Sequence, residues 1–292
     1  MFPRLHVHEI LLAGLLAALT GALALRAGPT APIFYESAIN LGIGLLAVLG
    51  LRGTGQAGQK LRLLIGAGLA LWLLLRLDAI AEGLAWPPPD AFLLKLERGI
   101  FGETPSVRLA DKPPPLVFDI AAVSAVVWPI YIGGLWLVTL MGRYEPARRL
   151  TVHLTTALTL AMAAALLVSA RGPQAMFPEL YLHPLPGGLA AGQQALADAI
   201  APKHLAFPTV MVPLAGVALM HAKAAAPKRL WLLVPLFIGL LAATLLLRGH
   251  YAISVVVGLL AWAGAHFGLA GRPDVDLDGA FDEGAKARPR WR

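Results

Sequence analysis

The chain has 292 residues, of which 58% are hydrophobic and only 14% are charged, with a net charge of +7. A soluble domain is roughly 45–50% apolar and about 25% charged, so this composition excludes an ordinary soluble protein. The absence of Cys from the sequence excludes disulfides and thiolate metal sites.

Eight apolar runs are long enough, or nearly so, to cross a bilayer, whose core needs about 20 helical residues. They are rich in Leu, Ala, Gly and Val, which favours helices packed through small residues. We therefore predict an all-α, polytopic membrane bundle of about eight spans. The second and sixth runs are short or interrupted by Pro and Gly, so their ends are the least defined. The predicted spans are 9–25, 37–51, 61–81, 116–141, 150–169, 205–222, 229–247 and 250–270.

The loops on the two sides of the membrane differ in how many basic residues they contain. With eight spans both termini share one side, and that side holds most of the 24 Lys and Arg residues, including Arg62, Arg149 and Arg229. Loops rich in Lys and Arg stay in the cytoplasm, so we expect cytoplasmic termini in a bacterial-type inner or plasma membrane. A retained first span is favoured over a signal peptide that ends at Ala24.

The positive charge is then explained by topology and by contact with anionic lipid head groups. No basic stripe is interleaved with aromatic residues, so we expect no nucleic-acid partner. The predicted partners are membrane lipids.

The chain divides into three predicted parts. Residues 1–89 hold the first three spans, and residues 90–270 form a second membrane domain with outer loops 90–115 and 171–204. Residues 271–292 are a polar cytoplasmic tail that we expect to be disordered.

Each long outer loop contains a predicted short helix. In the first loop, Phe92, Leu93, Leu96 and Ile100 recur at helical spacing, which predicts an interfacial helix with Glu97 off its apolar face. In the second loop, Leu189 to Ile200 gives a weaker helical pattern.

Two short patterns imitate metal sites. The alternating Asp residues of 274–279 resemble half of a calcium loop, but Ala285 stands where that loop needs Glu. His6 and His8 lie in a terminus that is poorly preorganised for a metal. We predict neither a metal nor a cofactor.

Four segments, all on the predicted outer side, contain residues suited to phosphate chemistry. They are FGETPSV (101–107), ARGPQAMFPEL (170–180), AFPTVMVPL (206–214) and RGHYAISVVVG (248–258). In order and spacing they resemble the type 2 phosphatidic acid phosphatase superfamily, and most closely its inositol phosphorylceramide synthase-like branch. That branch has an LFG-x-x-P-[ST] loop, an ARGPR-like turn, a P-S-x-H motif and an H-Y-x-x-D motif. The resemblance covers about residues 90–268.

The resemblance implies roles for two residues. His250 would be the nucleophile that attacks phosphorus, and Arg171 would bind the phosphate. Arg248, two residues before His250, is a candidate second phosphate ligand. Ionisable groups at a membrane boundary suggest a functional site. The alternative is that His250 and Arg248 only extend to the lipid interface, and that Arg171 ends a helix as an interfacial anchor.

Two positions depart from the family pattern. Met211 stands where the family has the His that protonates the leaving oxygen, and Ser254 stands where it has the Asp that orients the nucleophile. A general acid contributes about 10²–10⁴-fold, so the family mechanism would be very slow without one. His204 and His183 are candidate substitute acids, and Ser254 can still hydrogen-bond the His250 ring but carries no charge.

Three further acidic or basic residues leave alternatives open. Arg76 and Asp78 are expected to form an ion pair or to lie at the rim of the third span. Asp119 is expected to cap the fourth span or to face a cavity.

These observations lead to two hypotheses of different class. The first is a lipid-phosphate phosphatase or phosphotransferase that acts on a phospholipid, sphingolipid or polyprenyl phosphate at the outer membrane face. The second is a catalytically inactive lipid-binding or scaffolding member of the same fold. A transporter is less favoured, because no inverted repeat is evident in the sequence.

Overall fold

The structure is a computed structural model that describes residues 6–51, 54–110, 112–181 and 183–269. Among these residues there are helices and connecting turns but no strand. The predicted tail and its calcium-like pattern lie outside the described residues.

The described residues form helices α1 to α13 and two single 3₁₀ turns, Pro178–Leu180 and Pro227–Arg229. In chain order the helices are α1 (Val7–Arg26), α2 (Pro32–Gly50), α3 (Gln56–Leu75), α4 (Leu77–Leu84), α5 (Asp90–Phe101), α6 (Pro105–Arg108), α7 (Pro115–Met141), α8 (Tyr144–Val168), α9 (Pro173–Met176), α10 (Gly188–Ile200), α11 (Met211–Ala225), α12 (Leu230–Leu246) and α13 (Ala252–Leu269).

Seven helices of the described chain are long and apolar enough to cross a membrane, namely α1, α2, α3, α7, α8, α12 and α13. The all-α polytopic membrane bundle expected from the sequence is therefore confirmed. The connections at one end of the bundle are short. The other end contains residues 85–114 and 169–210, and we call it the loop-rich end.

The predicted span 205–222 forms only as α11, which has 15 residues. At 1.5 Å per residue such a helix is about 22 Å long, short of the roughly 30 Å hydrocarbon core. The helix begins late because Pro208 lacks an N–H group and disfavours helical geometry at Phe207. Residues 206–210, which precede α11, are all buried. Irregular backbone at membrane depth is tolerated where protein covers it in this way.

Helix α8 is shared by two apolar cores. In the first, Met162 and Ala165 of α8 lie in one cluster with buried residues of α1, α3 and α4. In the second, Leu150, Leu154 and Ala157 of α8 cluster with residues of α7, α11, α12 and α13. The predicted first and second membrane parts are therefore packed on a common helix.

The predicted third span is divided at Arg76. Its backbone leaves helical geometry (φ −103°, ψ 9°), so that α3 ends at Leu75 and α4 begins at Leu77. The Arg76 guanidinium pairs with Glu36 of α2, with Nη2 2.5 Å from Oε1 and Nε 2.7 Å from Oε2. Arg76 is thus paired with a different carboxylate from the Asp78 expected, and Asp78 has other partners.

Helix α5 is present as predicted, but its buried face differs from the predicted one. Phe92 and Ile100 are 65% and 56% exposed, whereas Glu97 is fully buried. Glu97 Oε1 accepts the N–H of Ile253 at 3.2 Å, in the first turn of α13. A carboxylate is favoured at a helix N-terminus, which explains why the charged residue points inward. Burial raises the pKa of Glu97, and the α13 N–H groups partly offset this.

Helix α10 confirms the second predicted loop helix, and Asp119 of α7 caps it. Asp119 Oδ1 accepts the N–H groups of Leu189 and Ala190 at 2.9 and 3.0 Å. Asp119 therefore fixes the loop 171–204 to the bundle and does not cap its own helix.

Candidate phosphate site at the loop-rich end

Three turns of the loop-rich end meet around Ala206. The Ala206 N–H donates to the carbonyl of Ala170 at 3.1 Å. The Ala206 carbonyl accepts Nδ1–H of His250, also at 3.1 Å. The turn that follows α8, the turn that precedes α11 and the turn that precedes α13 are thus joined at one residue. Three of the four segments that carry the family resemblance contribute to this junction.

The first and third of these turns also touch directly. A Cβ atom added to Gly172 would lie 2.5 Å from the carbonyl oxygen of Gly249. The φ of Gly172 is +98°, a conformation that side-chain-bearing residues rarely adopt. Gly172 therefore allows the close approach that brings the chain beside Arg171 to the chain beside His250.

Asp90, the first residue of α5, anchors the same turns through its carboxylate. It accepts the N–H of Gly172 at 2.9 Å, the N–H of Arg171 at 3.2 Å and the hydroxyl of Tyr251 at 2.8 Å. Asp90 and Tyr251 are fully buried. Burial, followed by the charge of Asp90, raises the pKa of Tyr251 above its ordinary range, so the phenol remains a donor.

The Arg171 side chain is exposed, and its orientation is fixed by a hydrogen bond to His204, which in turn contacts Asp78. Its Nε–H donates to Nε2 of His204 at 3.2 Å, and Nδ1 of His204 lies 2.9 Å from Oδ1 of Asp78. A guanidinium nitrogen can only donate, so His204 Nε2 is an acceptor and its ring proton lies on Nδ1. The series Asp78–His204–Arg171 therefore fixes one edge of the guanidinium. Nη1 and Nη2 of Arg171 make no hydrogen bond with the described residues.

Asp78 anchors the Asp78–His204–Arg171 series through further hydrogen bonds and its negative charge. It also accepts the backbone N–H groups of Lys203 and His204, each at 2.9 Å. Burial acts to raise the pKa of Asp78, but the hydrogen bonds from Lys203 and His204 outweigh it and the net pKa lies below the usual 3.8. Asp78 is thus a carboxylate at neutral pH.

The Nε2 nitrogen of His250 has no hydrogen-bond partner among the described residues. Because Nδ1 donates to the Ala206 carbonyl, Nε2 has the lone pair. Burial lowers the pKa of His250, with the Ala206 hydrogen bond opposing, so the ring is neutral at pH 7. A backbone carbonyl fixes the tautomer of an imidazole as a carboxylate would, but supplies no charge for the imidazolium. His250 Nε2 is therefore a neutral nucleophile or acceptor.

Arg248 lies in a different environment from the one predicted. Its guanidinium donates from Nη1 to the His183 carbonyl at 2.7 Å and from Nη2 to the Ala110 carbonyl at 3.2 Å. It also lies over the ring of Tyr181, with Cζ 5.1 Å from the ring centroid. Only 1% of Arg248 is exposed. In this conformation Arg248 binds loop backbone, and its role as a phosphate ligand stays a prediction.

Met211 and Ser254, the two residues that depart from the family pattern, both pack within the protein. Met211 begins α11 and packs against the second apolar core. Ser254 is fully buried and its hydroxyl donates to the Tyr251 carbonyl at 2.6 Å. The Ser254 hydroxyl therefore does not orient the His250 ring, because it is used within the first turn of α13.

The two candidate acids differ in position. His204 is 6% exposed, and its Nε2 accepts from Arg171. In that state Nε2 has no proton to donate. The His183 side chain is exposed, and its carbonyl binds Arg248. A substitute acid at either position stays a prediction.

Sequence reasoning missed three groups of this site: Asp90, the Tyr251 hydroxyl and the Ala206 carbonyl. Tyr251 belongs to the His-Tyr motif and could have been singled out there. Asp90 follows three Pro residues and resembles any acidic helix start. A carbonyl gives no side-chain signal.

A scan against protein-family models finds no match, and searches of curated proteins and of solved structures find no similar chain.

Proposed function

We propose that the protein binds the phosphate group of a membrane lipid at the loop-rich end, with Arg171 as the phosphate ligand. The observation that carries this proposal is the Asp78–His204–Arg171 series. It fixes Nε and leaves both Nη groups of an exposed guanidinium without a hydrogen bond to the described residues. Such a planar pair of donors matches two phosphate oxygens.

His250 is the group proposed to react with that phosphate. Its Nε2 would attack phosphorus, so that an N–P bond forms while the P–O bond to the lipid alcohol breaks. The leaving oxygen takes up a proton from water. Water, or a second lipid alcohol, would then take the phosphoryl group from His250. The substrate class is a phospholipid, sphingolipid or polyprenyl phosphate.

The second candidate function is lipid-phosphate binding without turnover, as in a scaffolding or receptor protein. The apolar Met211 at the acid position favours it, as does the acceptor role of His204 Nε2. Losing a general acid costs about 10²–10⁴-fold in rate. Both functions share the first step, which is recognition of the phosphate.

Phosphate release from phosphatidic acid, measured on the protein in nanodiscs, separates the two functions. Slow release that His250→Ala abolishes, and that Met211→His accelerates, supports the enzyme. Preferential binding of phosphatidic acid over diacylglycerol with no release supports the binding protein. Equal affinity for phosphatidic acid and diacylglycerol would reject both functions.

The side of the membrane belongs to the same proposal, with the loop-rich end outside. Because the sequence has no Cys, single cysteines at positions 203 and 149 report sidedness directly. An impermeant thiol reagent applied to intact cells should label position 203 and leave position 149 unlabelled. The reverse pattern would place the site in the cytoplasm.

A further inference from the structure

An apolar cavity lies at the end of the bundle opposite the loop-rich end. It has a volume of about 360 Å³ and is enclosed by α1, α2 and α3. Small-molecule sites span roughly 300–1,000 Å³, so the cavity is large enough for a ligand. Its lining is apolar apart from Glu9 and Arg62.

The cavity lies beside the part of α2 that buries the fewest residues in the bundle. Only Ile33, Ser37 and Ala47 of α2 are buried. Between Ser37 and Ala47, α2 contributes no buried residue to the bundle. Gly44 of α2 and Gly66 of α3 also line the cavity. The side chains of this part of α2 therefore leave a space between the three membrane helices.

The cavity has a polar end and an apolar end. On α1 its lining runs from Glu9 to Leu16, and on α3 from Arg62 to Leu69. At 1.5 Å per residue each of these runs is about 10 Å deep. Both begin near the start of their helix, which is where the short connections lie. The polar end therefore faces the membrane boundary, and the apolar end reaches about two-thirds of the roughly 15 Å depth of one leaflet core.

The polar end holds a buried ion pair between Glu9 and Arg62. Glu9 and Arg62 are 6% and 3% exposed. Nε of Arg62 pairs with Oε1 of Glu9, and Nη2 lies 2.5 Å from Oε2. Nη1 makes no hydrogen bond with the described residues, and Arg62 lines the cavity. At the membrane boundary, the N–H groups of Nη1 can donate to an ester oxygen of a lipid, which is a hydrogen-bond acceptor.

The cavity also communicates with the surface of the bundle. Ile10, Leu45 and Leu49 line it, and they are 54%, 46% and 61% exposed. These side chains belong to membrane-crossing helices, so their exposed parts face lipid. A ligand can therefore enter from the bilayer without crossing the protein.

We infer that this cavity holds one acyl chain of a bilayer phospholipid, with a glycerol-ester oxygen of that lipid accepting a hydrogen bond from Nη1 of Arg62. The apolar length takes the part of the chain nearest the glycerol, and the ion pair at the polar end would then lie beside the ester region of the lipid. The site is separate from the phosphate site and does not depend on it. The bound chain would fill the gap that α2 leaves.

Photo-cross-linking with a phosphatidylcholine that has a diazirine in its acyl chain tests the site. The protein is reconstituted in vesicles that contain this lipid, and cross-linked peptides are mapped. Cross-links should concentrate on residues 9–16 and 41–49. Cross-links that are as frequent on the exposed faces of α7, α12 and α13 as on these two segments would overturn the inference.

Filling the cavity supplies the matched comparison. Ala13→Leu places a larger side chain in the cavity, whereas Ala17→Leu places the same side chain on the exposed face of the same helix. Ala13→Leu should abolish the concentrated cross-links, and Ala17→Leu should leave them unchanged. Ala47→Leu gives a second filling variant if Ala13→Leu does not fold. Undiminished cross-linking in a folded filling variant would overturn the inference.

Discussion

Replacing Asp90 with Ala removes the acceptor that joins the turns of the candidate phosphate site. The N–H groups of Arg171 and Gly172 and the hydroxyl of Tyr251 would all lose their partner. A buried donor left without an acceptor costs about 1–3 kcal/mol. Since these three donors share one acceptor group and the Arg171 N–H is only partly buried, we expect a loss of about 3–5 kcal/mol. That is a large fraction of the roughly 5–15 kcal/mol by which proteins are stable.

Denaturant titration of the purified protein in bicelles measures this loss. Asp90→Asn keeps one oxygen and should lie between the wild type and Asp90→Ala. Tyr251→Phe removes a single donor and should cost about 1 kcal/mol. Native stability in a folded Asp90→Ala variant, together with unchanged lipid-phosphate binding, would refute the reasoning that this carboxylate assembles the site.

Three further predictions concern single contacts. Gly172→Ala should destabilise the protein by at least about 1 kcal/mol, because it adds strain at a positive φ and a collision with a carbonyl. Gly188→Ala is the control, because a Cβ there meets no atom within 4 Å, and it should not destabilise the protein. Equal melting temperatures of the two variants would contradict this prediction. The pKa of His250, followed by ¹⁵N NMR of labelled histidine, should lie below 6.5. The stability linked to His250 should thus be complete above that pH and decline below it, and a midpoint above 6.5 would show that the ring is not desolvated. Asp119→Ala should remove about 1 kcal/mol of capping and speed amide exchange at the start of α10 alone; unchanged exchange there would exclude the cap.

The membrane helices could be predicted closely because their signal is local. The predicted spans 116–141 and 229–247 became Pro115–Met141 and Leu230–Leu246. Hydrophobic runs of this length need no distant partner to be recognised. Helix α11 is shorter than a membrane span and begins later than the predicted span 205–222, because Pro208 delays the start of the helix.

The errors concern residues whose partners are distant in sequence. Glu97 was assigned away from the buried face, yet its partner is the start of α13, 156 residues later. Asp78 has its partners 125 and 126 residues away, at Lys203 and His204. Helical periodicity gives no information on such contacts, because it describes only which residues share a face.

The candidate site was predicted in part for the same reason. Arg171, His204 and His250 were singled out as residue types suited to phosphate chemistry, and the structure places their turns beside one another. Neither the use of Arg248 by loop carbonyls nor the anchoring role of Asp90 follows from residue type. Both depend on how far apart the loops lie once α5 and α9 have packed.

The binding of short-chain phosphatidic acid, compared with the matching diacylglycerol, tests the central claim most directly. The wild-type protein in nanodiscs should prefer the phosphate-bearing lipid. Arg171→Ala should reduce that preference by about tenfold or more, the loss expected for one charge-assisted hydrogen bond or more. Arg98→Ala, which removes an exposed cation of α5 at the same end, should leave it unchanged. An equal loss in both variants, or none in Arg171→Ala, would contradict a phosphate site built on Arg171.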